Sequence, residues 1–320
     1  MNLISSISIV IPVYNEEANL ALLHEQLVTI MNSSGYEYEL IYVDDGSQDN
    51  SFSYLEQLAL QDTQVKVVSF TRNYGQTAAL AAGIDHAKGD AVVFMDADLQ
   101  NDPADIPRLL AKLTEGYDVV SGWRQQRQDK WLTRILPSQL ANWLISKVTR
   151  VHLHDYGCTL KVYRRDTLQG YRLYGEMHRF LPAYAAYVGA NIVEVPVTHH
   201  PRRYGQSKYG LERTVKVILD LFTVKFLNTY AQKPIYVFGS MGAILILASA
   251  LLLTYLLVTK FLVGLSLINS PLLLMSTMFF IIGVQSIFMG LIGELLVRTY
   301  YESQDKPTYH IRQRLNIQED

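Results

Sequence analysis

The sequence predicts an α/β domain built on a mostly parallel sheet, followed by two membrane-spanning helices. Up to about Lys233, short apolar runs rich in β-branched residues alternate with helical segments, the pattern of a parallel sheet covered on both faces. Two long apolar segments follow, and each exceeds the roughly 20 residues that a helix needs to cross a bilayer core. The formal net charge of -2 gives no support for a protein that binds nucleic acid.

The predicted elements alternate along the N-terminal part. The first strand is Ile7–Tyr14, and the helix after it has apolar residues at helical spacing, with Asn15 as its N-cap. Four further strands are predicted within YELIYVDDGS, VKVVSF, GDAVVFMDAD and YDVVSGWR. Two further helices are predicted: TAALAAGIDHA, whose small residues allow close packing on a sheet, and DPADIPRLLAKL.

Polar residues follow four of these strands at the point where each ends. The segments are Tyr14-Asn15-Glu16, Asp44-Asp45, Arg72-Asn73 and Asp96-Ala97-Asp98. Ligands of parallel sheets bind at the carboxyl ends of the strands, so four such segments at one edge predict a site there. The chain has neither GxGxxG nor GxxxxGKS, which argues against a dinucleotide fold and a P-loop.

Asp96 and Asp98 end a predicted strand two residues apart, so the pleat of a strand would point both carboxylates to the same side. Two carboxylates so close repel each other unless a cation compensates them. Hard oxygen ligands suit Mg²⁺ or Mn²⁺, which bridge protein carboxylates to a diphosphate. The alternative is a solvated turn with aspartate as a capping residue. A site is favoured because the pair shares an edge with Asp44 and Asp45.

The apolar segments are Pro234–Leu265, in which Lys260 is the only charge, and Pro271–Glu302, which has no charge before Glu294. Two buried core helices are the alternative, but long soluble helices are rarely apolar on all faces. Small residues in GSMGA and GVQSIFMG favour helix–helix packing and leave a homo-oligomer open.

Basic residues flank the pair of apolar segments, so the positive-inside rule predicts a cytoplasmic N-terminal domain and a cytoplasmic C-terminal tail. The flanking residues are Lys225, Lys233, Arg298, Lys306, Arg312 and Arg314. The only cysteine, Cys158, rules out an intramolecular disulfide, which is compatible with the cytoplasm, and packing is the favoured role for it.

Two basic segments are candidate contacts for anions or for a membrane. The first, GWRQQRQDKWLTRILPSQLANWLISKV, mixes basic residues with tryptophan and leucine and predicts an amphipathic interfacial helix over about 131–150. An ordinary surface helix with snorkelling basic side chains is the alternative. The second, HHPRRYGQSKYG, is a basic loop that can close over a diphosphate or attract anionic lipid. The spacing of His152, His154, His199 and His200 matches no usual zinc pattern.

The ordered set VIPVYNEE, VDDGSQD, RNYGQTAAL, MDADLQNDP, DYGCTLKVYRRD and RRYGQSKY, with the two apolar segments, resembles the polyprenyl-phosphate glycosyltransferases of glycosyltransferase family 2, which have a GT-A (Rossmann-like) fold. The resemblance covers essentially the whole chain. It extends to dolichol-phosphate mannose synthases, undecaprenyl-phosphate aminoarabinose transferases and especially bactoprenol glucosyltransferases.

The resemblance implies roles for individual residues. The residues that it implies for nucleotide-sugar binding are Pro12, Tyr14, Glu16, Asp44, Asp96, Ala97, Gln100, Arg202 and Lys208. The metal ligands are Asp96, Asp98 and Gln100, with Mg²⁺ or Mn²⁺ as the cofactor. The residues that it implies for binding the acceptor phosphate are Arg124, Arg134 and Ser138. Asp98 and Asp155 are the catalytic candidates, and Asp155 is left open between positioning the acceptor, acting as a base and contacting the donor sugar. The chain reads DLQNDP where the family has DLQDP or DLQHPP, which leaves Asp102 without an assigned role.

The predicted reaction is an inverting transfer of glucose from UDP-glucose to undecaprenyl phosphate. Other donors remain open, namely GDP-mannose, UDP-GlcNAc and UDP-aminoarabinose. Two other classes are a processive polysaccharide synthase, which the absence of QxxRW disfavours, and a binding scaffold without activity.

The predicted organisation has four parts. A GT-A catalytic domain covers 1–208, a juxtamembrane amphipathic helix 209–233, two transmembrane helices 234–302 and a cytoplasmic tail 303–320. The predicted location is the inner (cytoplasmic) membrane.

Overall fold

A computed structural model describes residues 4–125, 142–143, 145–147, 149–168, 173, 177–201, 235–263, 270–303 and 309–317. The chain divides into two compact units. One contains the described residues up to 201 together with 309–317 at the C-terminus, and the other contains 235–303.

The elements of the first unit alternate as the sequence predicts. In chain order they are β1 (Ser6–Val13), α1 (Glu17–Ser34), β2 (Glu37–Asp44), α2 (Ser51–Gln61), β3 (Val65–Phe70), α3 (Gln76–His86), β4 (Ala91–Phe94), α4 (Ile106–Thr114), β5 (Val119–Trp123), β6 (Lys161–Arg164), α5 (Leu181–Tyr187), β7 (Ile192–Pro196) and, at the C-terminus, β8 (Ile311–Leu315). Within the described residues, the 3-10 helix Pro103–Asp105 precedes α4, Arg165–Leu168 follows β6 and Met177–Phe180 precedes α5.

The strands of the described residues form one mixed sheet in the order β7-β5-β6-β4-β1-β2-β3-β8. Six strands run the same way, and only β6 and β8 run against their neighbours. The predicted α/β class with a mostly parallel sheet is therefore confirmed. Buried apolar residues pack on both faces of the sheet, so its central strands read as nearly continuous apolar runs.

All five predicted strands exist, and β3 has the predicted bounds. The sequence analysis did not predict α2, α5, β6, β7 or β8. The last of these is the least expected, because it lies in the segment 303–320 that the sequence analysis predicts as a cytoplasmic tail, and it is an edge strand beside β3.

Helix α3 confirms the close packing predicted from its small residues. Ala78, Ala79, Ala82 and Gly83 are buried on the sheet. A Cβ at Gly83 would overlap the side chain of Val10 in β1, so only glycine allows this separation between helix and strand.

The second unit is a pair of long apolar helices, α6 (Ile235–Val263) and α7 (Pro271–Ser303). Within them Phe238–Leu262 and Pro271–Gly293 have the length and mean hydropathy, 2.4 and 2.1, to cross a membrane. Gly242 and Gly283 face each other so closely that a Cβ on either would meet the carbonyl oxygen of the other. The hydroxyl of Ser249 also donates to the carbonyl of Ser276 at 2.7 Å. The small residues that left a homo-oligomer open thus pack these two helices together within one chain.

Two predicted elements lie mainly outside the described residues. Of the interfacial helix at about 131–150, residues 142–143, 145–147 and 149–150 are described, and all but Arg150, which has a φ of 62°, are helical. Trp143 there is 58 % exposed while Ile145 is buried, as an amphipathic helix requires. The juxtamembrane helix at 209–233 is outside the described residues. These boundaries stay predictions.

Candidate active site

A crevice is expected between β1 and β4, where the chain changes direction through the sheet. From β1 the chain builds β2 and β3 to one side and then places β4 on the other side. The pairing of β1 with β4 ends at Val10 and Phe94, whereas β1 stays paired with β2 as far as Val13. Ligands of open α/β sheets bind at such a point, beyond the carboxyl ends of the strands. The four predicted polar segments follow β1 to β4 and therefore meet at this edge.

The turn after β1 is tied to the turn after β2. The prediction that Asn15 caps α1 is wrong, because the residue that precedes the helix is Glu16 and Asn15 has a φ of 52°. The side-chain oxygen of Asn15 instead accepts a hydrogen bond from the N–H of Gln48 at 2.7 Å. Asparagine tolerates the left-handed region better than most residues, which suits it to this role. Pro12 and Tyr14, half-buried like Glu16, lie at the end of β1 and just beyond it.

Asp44 at the end of β2 and Asp45 just after it are buried and accept hydrogen bonds from different partners. The carboxylate of Asp44 accepts from the Ser69 hydroxyl at 2.9 Å and from the Ser47 N–H at 3.1 Å. The carboxylate of Asp45 accepts from the N–H groups of Tyr74 and Gly75, at 2.6 and 2.9 Å. Burial raises the pKa of Asp45 to about 6, with a smaller contribution from the charge of Asp44, against the lowering effect of the two N–H donors.

Asp96 and Asp98 lie in a turn and not in a strand. The predicted strand through Asp98 is therefore too long, since β4 ends at Phe94, where its pairing with β1 stops. The pleat argument for placing both carboxylates on one side does not apply. Asp96 instead accepts from Gln76 at the start of α3 and from the Thr159 hydroxyl, both at 2.7 Å. Asp98 is 7 % exposed.

In the turn from Ala97 to Asp102, the acidic residues have different hydrogen-bond partners. Ala97 is buried, and the Asp98 carboxylate accepts from the N–H of Gln100 at 3.2 Å. Asp102 is the N-cap of the Pro103–Asp105 turn, where it accepts from Ala104, and it also contacts His200. Asp102 and Asp98 both make the local bond to the N–H two residues ahead that the turn interpretation implies, whereas Asp96 bonds Gln76 and Thr159, which are distant in the chain.

The donor set at this turn fits a hard divalent cation held jointly with a substrate. Asp96, Asp98 and Gln100 offer carboxylate and amide oxygens, which are ligands that Mg²⁺ and Mn²⁺ accept. Among the described residues no three His, Cys, Asp or Glu side chains form a cluster that holds a metal by itself. Mg²⁺ typically takes one or two protein carboxylates and completes its coordination with phosphate oxygens and water. The arrangement fits that mode rather than a dedicated protein cage.

The partly buried Arg124 and the buried Asp155 form a bidentate ion pair beside this turn. The Nε of Arg124 donates to Oδ2 of Asp155 at 2.7 Å and its Nη2 donates to Oδ1 at 2.9 Å. The backbone N–H groups of Arg124 and Gly157 donate to the same carboxylate. Asp155 is 2 % exposed. Both its oxygens therefore serve to orient the guanidinium.

The loop 155–160 joins this ion pair to the acidic turn, and residues that sequence reasoning missed hold it in place. Thr159 bonds Asp96, and the buried ammonium of Lys161 donates to the carbonyls of Tyr156 and Cys158. Burial lowers the pKa of Lys161, an effect that the charge of Asp155 partly opposes. The only signal available in the sequence was a charged residue inside the apolar run LKVY.

Gly157 marks where a second arginine approaches the loop. A Cβ there would lie 3.1 Å from Nη2 of Arg124 and 3.4 Å from Nη1 of Arg179. Burial also raises the pKa of the Cys158 thiol to about 11, so it stays neutral and serves packing, as the sequence analysis favours.

Four predicted site residues lie outside the described part of the chain: Arg134, Ser138, Arg202 and Lys208. Two of the four histidines considered for zinc have other partners. His154 stacks on Trp123 and bonds Glu194, while His200 contacts Asp102.

Comparison with known families and relatives places these residues in context. Residues 8–172 match the model of glycosyl transferase family 2. A dodecaprenyl-phosphate galacturonate synthase of Rhizobium johnstonii is 43 % identical over 316 residues, covering 96 % of this chain and 92 % of the relative. An undecaprenyl-phosphate 4-deoxy-4-formamido-L-arabinose transferase of Proteus mirabilis is 38 % identical over 316 residues, covering 98 % and 95 %.

Among solved structures, glucosyl-3-phosphoglycerate synthase from Mycobacterium tuberculosis, in complex with Mn²⁺, uridine diphosphate and phosphoglyceric acid, matches with a TM-score of 0.52 at 20 % identity. The match covers 70 % of this chain and 78 % of that one. At this identity the likeness shows the fold alone.

Proposed function

Because the chain belongs to glycosyl transferase family 2, we propose that it transfers a glycosyl group, with inversion, from a nucleotide sugar to a polyprenyl phosphate at a membrane surface. The main observation that supports this proposal is the loop 155–160. One end of the loop bonds the acidic turn through Thr159, and the other holds Arg124 through Asp155. A cation-binding turn and an oriented arginine thus share one rigid support, as a donor diphosphate and an acceptor phosphate require.

The donor side of the proposed site is assigned to the sheet edge beyond the carboxyl ends of β1 and β2. Pro12, Tyr14, Glu16 and Asp44 line the ends of these strands and are assigned to the nucleoside. Asp44 is buried and accepts hydrogen bonds from Ser47 and Ser69. A nucleobase would therefore contact it at the end of β2 and not in open solvent.

The diphosphate is assigned to Asp96, Ala97, Asp98 and Gln100, with Mg²⁺ or Mn²⁺ held by the two carboxylates and the amide. The bound cation would neutralise charge that develops on the departing diphosphate. Gln76 and Thr159 hold the Asp96 carboxylate from two directions, which keeps this ligand in a single orientation. Arg202 and Lys208 are assigned to the same diphosphate.

The acceptor supplies its own nucleophile. A phosphate monoester has a second pKa near 6 and is mostly dianionic at neutral pH, so it needs little help from a general base. Its charge must instead be offset, and guanidinium groups do this well because they bind phosphate bidentately. Arg124, Arg134 and Ser138 are assigned to it.

Asp155 is assigned to positioning and not to proton abstraction. Its two oxygens already accept bonds from the guanidinium of Arg124 and from two backbone N–H groups. These bonds fix the arginine that meets the acceptor phosphate.

The identity of the donor sugar is the most specific part of the proposal. UDP-glucose is the donor that the sequence analysis predicts, and the two relatives are named for galacturonate and for 4-deoxy-4-formamido-L-arabinose. Those names favour a sugar modified at C4 or C6 as the first alternative to glucose.

The catalytic unit and both termini are assigned to the cytoplasmic face of the inner membrane. Residues before α6 and the strand β8 after α7 belong to one sheet, so both must lie on the same side if the helices cross a bilayer. The basic flanks favour the cytoplasmic side.

The proposal is tested by transfer assays in detergent with undecaprenyl phosphate, Mg²⁺ or Mn²⁺, and labelled donors. The panel holds UDP-glucose, UDP-galacturonate, UDP-4-deoxy-4-formamido-L-arabinose, UDP-GlcNAc and GDP-mannose. We expect one labelled lipid product that EDTA abolishes and that Asp98→Ala reduces by at least about 100-fold, since a metal ligand is lost. A lipid product that survives EDTA would contradict the metal assignment, and no lipid product from any donor would contradict the function.

Asp102→Ala is the matched control, because Asp102 lies in the same turn but caps a helix and faces His200. It should keep most of the activity.

In the same assay Asp155→Asn should raise the KM for the lipid phosphate more than the KM for the donor. A fall in kcat alone, with a changed pH profile, would instead indicate that Asp155 is a base.

A further inference from the structure

The C-terminal segment 309–317 follows α7 in the chain and packs on the domain that carries the site. Strand β8 pairs antiparallel with β3, from Phe70↔Ile311 to Val67↔Leu315. Beyond it, the side-chain amide of Asn316 donates to the carbonyls of Ala59, Asp62 and Val65. The segment is therefore anchored at its far end.

At its near end this segment contacts the loop 71–75, which leads from β3 to α3. The carbonyl of His310 accepts from the N–H of Thr71 at 3.1 Å. The ring of Tyr309 stacks on Phe70 with centroids 4.9 Å apart, and its hydroxyl donates to Asp85 of α3 at 2.7 Å. Tyr309 is 4 % exposed, so it is held as a core residue between β3 and α3.

The loop 71–75 in turn shapes the donor side of the site. Its N–H groups at Tyr74 and Gly75 are bound by Asp45. Its backbone at Arg72 packs against Gly46 so closely that a Cβ on that glycine would overlap it. The residue after the loop, Gln76, holds Asp96.

We propose that Tyr309 is a positioning residue for the nucleotide-sugar site. By bonding Asp85 and stacking on Phe70, it fixes the start of loop 71–75 and the α3 helix that presents Gln76 to Asp96. The donor site of the N-terminal domain is then incomplete without a segment from the far end of the chain. This inference rests on the proposed function only in taking loop 71–75 as part of the donor site.

The test compares Tyr309→Phe and Tyr309→Ala with Gln313→Ala, a matched control on the same strand with an exposed side chain. The expected result is a donor KM raised about 2- to 3-fold by Tyr309→Phe and at least about 10-fold by Tyr309→Ala. The KM for the lipid phosphate should stay within about 2-fold in both variants, and the control should match the wild type. Equal changes in both KM values, or an unchanged donor KM in both variants, would overturn the proposal.

A second readout does not depend on turnover. Amide hydrogen exchange of the full-length protein in detergent should show faster exchange at Thr71, Tyr74 and Gly75 in Tyr309→Ala, with the control and β1 unchanged. If the wild type transfers no sugar, the proposed function fails while this exchange result still decides the positioning role. Unchanged exchange in loop 71–75 would overturn that role even in an active enzyme.

Discussion

Among the described residues of the site, Asp45 is the one whose protonation should respond most clearly to pH. Its pKa of about 6 lies above the ordinary value for an aspartate, mainly because the carboxyl is buried. Folding therefore favours the protonated form. The contribution of Asp45 to stability is full below the unfolded pKa, near 4, and is lost as the pH rises through about 6. At neutral pH the carboxylate remains ionised and binds the two loop N–H groups.

This residue predicts a pH-dependent donor KM. Below about pH 6, a proton on Asp45 leaves one oxygen less able to accept from Tyr74 or Gly75, so the donor KM should rise several-fold between pH 7 and 5. In Asp45→Asn the donor KM should be high at all pH values and flat over that range. The lipid phosphate titrates near the same pH. The donor KM must therefore be measured at saturating acceptor, and an equally steep profile in the variant would contradict the assignment.

At the scale of elements, the separation between α3 and β1 is set by one glycine. Helix α3 carries Gln76 at its start and covers β1 with a face of alanines and Gly83. A larger residue would push the helix away from the strand and with it the side chain that holds Asp96.

Gly83→Ala should destabilise the domain by about 1–3 kcal/mol, because its methyl group overlaps Val10 in a packed core. Val10→Ala alone should also destabilise, by leaving a cavity. The double variant should be more stable than the sum of the two effects predicts, since each change relieves the other. Thermal unfolding of the detergent-solubilised proteins measures this, and simple additivity would show that the two residues do not share a contact in solution.

At the scale of the whole molecule, the sheet constrains the path of the chain. The described residues before α6 and those after α7 belong to one folded unit. A single crossing would place β8 on the other side of the membrane from β3, whereas two crossings return the chain to the side it left.

Two single-cysteine substitutions test this path. Ser270→Cys, just before α7, should react with a membrane-impermeant maleimide in intact cells, whereas Gln313→Cys on β8 should react only after permeabilisation. The wild type is the control, because its one cysteine, Cys158, is 1 % exposed. Reaction of Gln313→Cys from outside would contradict the cytoplasmic assignment of the catalytic unit.

Sequence patterns sufficed where a local rule governs the outcome. Runs of β-branched residues marked β1 to β5, and uniform hydropathy over more than 20 residues marked α6 and α7. Strand β8 escaped prediction because the sequence IRQRL is polar on its exposed positions and acquires its pairing only from the free edge of β3.

By itself, therefore, the sequence determined the α/β class, the alternation of strands and helices, the two apolar helices and the edge of the sheet at which the polar residues meet. It did so because residue periodicity is a property of local sequence, and because strands that alternate with helices pair in parallel with their carboxyl ends at one edge. Only the tertiary structure decided that Asp155 bonds Arg124, that Thr159 and Gln76 hold Asp96, and that Tyr309 packs on Phe70. Those contacts join residues far apart in the chain, and no local pattern encodes which distant side chain will fill a buried position.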